Sequence, residues 1–132
     1  MNVYTTKIND TTYTVTLFNA VTGLKIVRKL SSILASAQDL DISSSVDKLI
    51  EYDSDISLSL ELLSNTLVDG QSVERENFNK LFTGKLGEYV EILVFVLETN
   101  FKDFFSTIKS QMEKLKTQIE SQIPAAIQAS LD

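Results

Sequence analysis

The stretch from Leu86 to Leu97 constrains this chain most, because Tyr89, Val90, Ile92, Leu93, Val94, Phe95, Val96 and Leu97 leave a helix there almost no polar side. A soluble protein tolerates such a helix only when partners surround it. The remaining elements are therefore expected to be arranged around this one. Its unbroken apolar run, Ile92 to Leu97, is far short of the ~20 residues that span a bilayer. The N-terminal sequence MNVYTTKIND has no apolar core of signal-peptide length. A soluble, cytoplasmic protein is the expectation.

The segments before it carry clear local signals. Val3 to Ile8 and Thr12 to Phe18 are rich in β-branched and aromatic residues and flank Asn9-Asp10-Thr11, the pattern of a β-hairpin. Tyr13, Val15 and Leu17 alternate with threonines, so one face should be buried; a strand edge of this kind could also accept a strand from another copy. From Asn19 to about Gln38, Val21, Leu24, Val27, Leu30, Ile33, Leu34 and Ala37 keep helical spacing, with Lys25, Arg28 and Lys29 on the wet side. Ser43, Ser44 or Ser45 is expected to cap a helix whose apolar set is Val46, Leu49 and Ile50. After a break at Asp53-Ser54-Asp55, a helix from about Ile56 to Leu67 is expected. Its leucines, at 58, 60, 62 and 63, are dense enough to pack on two sides.

Asp69-Gly70 reads as a tight turn, since Gly accepts positive φ and Asp bonds its own backbone. Phe78, Leu81 and Phe82 fall at i, i+3 and i+4, and Thr83-Gly84 ends that short helix with a residue suited to a left-handed C-cap. Beyond Leu97, Phe101, Phe105, Ile108, Met112, Leu115 and Ile119 are spaced 4, 3, 4, 3, 4. That is a heptad seam, narrow enough to favour pairing with another helix over packing on its own domain. Lys109, Glu113, Lys114, Lys116 and Glu120 keep to its wet faces. Helix persisting from Leu86 to Ile123 would be 38 residues, roughly 57 Å at the standard rise; Thr99-Asn100 could instead be a bend. Pro124 ends the seam. The fold class expected is α+β, mostly α: an N-terminal β-hairpin, then a bundle of about four to five helices with a long C-terminal helix. One domain is expected over 1–132, with hairpin and helical body in 1–100 and a helical extension in 101–132.

Composition removes most chemistry. The chain has no Cys and no His, which excludes disulfides, thiolate nucleophiles, the commonest general base and the usual zinc ligands. Twelve basic against eighteen acidic residues leave a net charge of −6, with no field to attract a phosphate backbone, so nucleic acid is not an expected partner. The acids Glu51, Asp53, Asp55 and Glu61 fail as a calcium loop, because Leu58 and Ser64 stand where Gly and Glu are required. No aromatic platform accompanies them as a sugar cleft would demand. Gly84-Lys85-Leu86-Gly87 lacks P-loop spacing and reads as two helix-end glycines. No enzyme activity, cofactor, metal or membrane association is expected.

The order Val68-Asp69-Gly70, Phe78-x-x-Leu81-Phe82-x-Gly84-x-Leu86-Gly87, then an apolar helix ending in Asn100-Phe101-x-x-Phe104-Phe105, resembles the tail assembly chaperones of tailed bacteriophages. The likeness extends more softly over residues 8 to 34, where the family similarly has a strand pair followed by a helix. It implies a non-enzymatic protein of the host cytoplasm, absent from the mature virion, that holds the tape measure protein soluble while tail tube subunits polymerise around it. It also implies self-association, with the tail tube protein as a further candidate partner. Past Phe105 the family varies, and the seam stands on its spacing alone. Phe101, Phe104 and Phe105 can serve as core or as a hydrophobic anchor; with Ile108, Met112, Leu115 and Ile119 they form the candidate partner-binding set. The other class of function open to the same seam is a permanent homo-oligomer, in a structural virion component or a helical adaptor.

Overall fold

The computed structural model describes residues 2–34 and 41–122, with side chains as far as Gln118 in the last helix. The chain divides into two compact units, Met1–Lys102 and Asp103–Asp132. The first contains a four-stranded antiparallel sheet in the order β1-β2-β3-β4, formed by Val3–Ile8, Thr11–Thr16, Thr66–Val68 and Gln71–Ser72. Around it stand α1 (Ala20–Leu34), α2 (Ile42–Tyr52), α3 (Ser57–Leu62) and α4 (Phe78–Phe82), and α5 (Leu86–Gln122) begins there. The architecture is α+β, mostly α, with an N-terminal hairpin and a long C-terminal helix.

Alternation places Thr11, Tyr13 and Val15 of β2 on the buried face and its even-numbered threonines outward. The hairpin turns on Asn9-Asp10, tighter than the three-residue turn expected, so that Thr11 already pairs with Ile8. At the other hairpin Asp69 and Gly70 both have positive φ, the type I′ geometry that suits strand twist. The Asp69 carboxylate accepts from Thr12 N at 2.9 Å, tying the turn to β2 across the sheet rather than to its own backbone.

The strand β3 corrects the helix expected over Ile56 to Leu67. Leu63 closes α3, and Thr16 N donates to Asn65 O at 2.9 Å, drawing Thr66–Val68 into register with β2. Three residues carry too little local pattern to announce a strand; the long-range ladder decides. Leu58 and Leu62 of α3 and Leu63 at its C-cap are buried, while Leu60 is half-buried. Asn19 caps α1 by accepting from Thr22 N at 2.9 Å. On α1, Val27, Leu30 and Leu34 are buried as expected, but Val21 and Leu24 are more than half exposed and Ile26 is buried in their place. The helix packs against α2 and α3. Ala37 and Gln38 lie outside the described residues.

The cap of α2 is Asp41, whose carboxylate accepts from Ser44 N, and not one of the three serines. Its acceptor precedes the helix, where the free N–H groups point. Ile50 is exposed while Val46 and Leu49 are buried. In α5, Ile92, Leu93, Val96 and Leu97 are fully buried, and Glu88 lies in the first turn, where the helix dipole favours a carboxylate. Phe78 and Phe82 of α4 meet Tyr89 edge-on at 5.4 and 5.5 Å, so the short helix closes the start of the long one. No bend interrupts α5 at Thr99-Asn100. Among the described residues no helix is long and apolar enough to cross a membrane.

Candidate interaction surface

Among the exposed apolar side chains of the described residues, two sets bear on binding, one in each unit. In the second unit the relevant residues come from α5 after Lys102. Phe105 is buried and touches Phe104, half-buried, with ring centroids 5.7 Å apart. One turn on, Ile108 is half-buried, and Met112 and Leu115 are 57% and 58% exposed. Ile108, Met112 and Leu115 follow at four and three residues, one above the other on the helix. Lys109, Glu113, Lys114 and Lys116 are exposed around them. The side chain of Ile119, and Pro124, lie outside the described residues.

Phe101 belongs to the first unit. Its ring stacks on Phe18 at 6.4 Å with planes 19° apart. A Cβ built on Gly23 would stand 3.7 Å from the same ring, ordinary contact. It is a core residue of the body, whereas Met112 and Leu115 of the same heptad series are open to solvent.

The second surface was missed from sequence. It is a groove of about 460 Å³ between β1 and α5, lined by Thr6, Lys7, Ile8, Val90, Val94 and Phe95, with Glu91 and Glu98 also bordering it. Lys7 pairs with the exposed Thr12, so alternation puts its side chain on the sheet face away from α5 and leaves the two glutamates as the charges on the groove side. The helix expected to be surrounded by partners is not fully covered there: Val90, Val94 and Phe95 are only half-buried. The signal was present, in an apolar position too many for the elements available, but nothing local says which side stays bare.

The acidic cluster has structural work. Asp53 accepts from Leu58 N at 3.2 Å and from Ser59 N and Oγ at 2.8 and 2.9 Å, satisfying the open end of α3. Ile56, which precedes α3, has a left-handed φ of 56°. Asp55 is held below the usual carboxylate range by the Ser57 N–H, then the Ser57 hydroxyl, with Arg75 adding to it. Glu61 pairs with Lys29, and Glu51 with Lys48 at 3.6 Å. Among the described residues no group of three or more acidic side chains is placed to hold a metal ion. The arrangement can bind through apolar contact and strand pairing.

The model of one protein family, described as phage tail assembly chaperone protein, TAC, matches residues 9–114. No curated protein and no solved structure matches the chain.

Proposed function

The chain belongs to the phage tail assembly chaperone family, and from its chaperone role in tail assembly we propose that it binds the tape measure protein and keeps it soluble until the tail tube forms around it. The observation that carries the reading is the uncovered stripe Ile108, Met112 and Leu115 on the last part of α5. A narrow apolar stripe on a charged helix gains affinity by burial against a second amphipathic helix, about 25 cal/mol for each Å² removed from water. The net charge of −6 keeps the complex soluble by repulsion between complexes. Self-association through the same stripe holds the chaperone in reserve, and a client helix displaces the second copy. The chaperone leaves when tube subunits cover the client, so it acts in the host cytoplasm and is not retained in the particle.

The test is co-expression with the tape measure protein of the same genome, followed by size-exclusion chromatography with light scattering on the soluble fraction. An otherwise insoluble client recovered in a complex of defined mass supports the reading. A client that stays insoluble beside a discrete oligomer of this chain, with the chain present at fixed stoichiometry in finished particles, replaces it with a structural role.

A further inference from the structure

The sheet has one long open edge. Its far edge, β4, is only two residues and offers little to pair with, but β1 runs six residues without a bulge or a proline. Leu17 N donates to Asn2 O at 2.8 Å, which fixes the alternation of the ladder: the even-numbered residues of β1 bond to β2. The main-chain N–H and C=O groups of Val3, Thr5 and Lys7 therefore point away from the sheet, and no described strand meets them. Beyond that edge α5 continues with Val90, Val94 and Phe95 half-bare, so the sheet stops one strand before the apolar surface beneath it does.

We infer that the β1 edge and the groove beside it form a binding site for an extended polypeptide segment of basic-apolar-basic pattern, added as a fifth strand. The open ladder supplies register, and Val94 with Phe95 supplies an apolar seat for one inward side chain. Glu91 and Glu98 stand two helical turns apart, roughly 10 Å, and neither makes an ion pair among the described residues. Inward positions i and i+4 of a strand are roughly 13 Å apart, so two Lys or Arg side chains flanking a central apolar one reach the two carboxylates while their stems lie on the groove wall. A second copy suits this edge less well. Pairing β1 with β1 would bring Glu91 and Glu98 of each copy toward those of the other, and like charges in one seam oppose assembly.

The test uses the full chain and the peptide acetyl-Thr-Lys-Thr-Val-Thr-Lys-Thr-amide, followed by amide hydrogen exchange. Binding slows exchange at Val3, Thr5 and Lys7 and leaves Tyr4, Thr6 and Ile8, already bonded within the hairpin, nearly unchanged. Glu91→Lys with Glu98→Lys weakens this peptide at least about tenfold and transfers preference to the version with Glu in place of Lys. Thr5→Pro removes an edge donor without touching the β2 ladder and also abolishes the protection. Absence of protection at the three edge amides overturns the site, as does binding that neither variant changes, which is attraction to an acidic surface. Protection that grows with protein concentration and needs no peptide assigns the edge to a second copy and overturns the peptide assignment. The charge swap decides alone if the proline variant does not fold.

Discussion

The side-chain oxygen of Asn100 accepts a hydrogen bond from Phe18 N at 3.0 Å, joining positions 82 apart in the sequence, while its amide nitrogen donates to Val96 O at 3.1 Å. Phe18 is where the chain leaves β2 and has not yet entered α1, so its N–H has no ladder and no helix to serve it. The next residue of α5, Phe101, stacks on the Phe18 ring. One turn of α5 thus fixes both the backbone and the side chain at the strand-to-helix junction.

Asn100→Ala leaves the Phe18 N–H without its acceptor, and an unsatisfied donor in a partly buried site costs about 1–3 kcal/mol. Asn100→Asp keeps an acceptor and should recover part of that loss. Urea denaturation of the three proteins checks the order: wild type, then Asp, then Ala, with unchanged m-values.

Two glycines three residues apart should respond in opposite directions. Gly84 ends α4 at φ +77°, and an L side chain there costs roughly 1–2 kcal/mol. Gly87 lies inside α5 with nothing within 4 Å of a built Cβ. Ala at that position gains helix propensity and should stabilise by roughly 0.4–1 kcal/mol. Thermal unfolding of Gly84→Ala and Gly87→Ala distinguishes a backbone requirement from a dispensable glycine.

The elements legible in the sequence are those whose signals are local. The hairpin strands, the i, i+3, i+4 spacing of α4, the Asp69-Gly70 turn and the apolar core of α5 each repeat within a few residues. What escaped depends on partners far along the chain. Thr66–Val68 is a strand because β2 pairs with it, and Asn100 reads as a bend until the Phe18 N–H is seen to need it. The apolar surplus of Leu86–Leu97 was plain, but its bare side became visible only when the sheet was found to end at β1. For the stripe on α5, spacing gave the face and could not say that Phe101 belongs to the body and Met112 to solvent.

Tyr13 predicts an alkaline limit to stability. Its ring is fully buried and its hydroxyl has no hydrogen-bond partner among the described residues. Burial first, then the charges of Glu88, Asp69 and Glu91, push its pKa up to about 12. The unfolded chain releases this proton near pH 10 and the folded one only near 12, so the folded state binds more protons between those values. Stability is intact below pH 10 and falls as pH rises to about 12, by roughly 2–3 kcal/mol. Tyr13→Phe deletes an unsatisfied hydroxyl and should be at least as stable at pH 7. Above pH 10 it should lose less than wild type, the remaining slope coming from Tyr89, whose phenol burial also pushes up. Denaturant midpoints at pH 7, 10 and 11.5 decide it; equal slopes in both proteins would remove Tyr13 from the account.

The heptad series from Phe101 to Leu115 should divide into two kinds of residue when mutated. Phe101→Ala empties a buried, stacked site and should cost about 3–5 kcal/mol. Met112→Lys with Leu115→Lys alters side chains that are 57% and 58% exposed, and Lys is as good a helix former as Met or Leu. The unfolding free energy should therefore move by no more than about 0.5 kcal/mol. If the stripe binds a helix, the same double variant loses both soluble recovery of the tape measure protein and any self-association seen by light scattering, because two desolvated charges replace the apolar seat. A variant that folds normally and still retains the client would show that Met112 and Leu115 are surface residues without a partner, and the binding face would have to be sought elsewhere, first among Val21, Leu24 and the α5 groove.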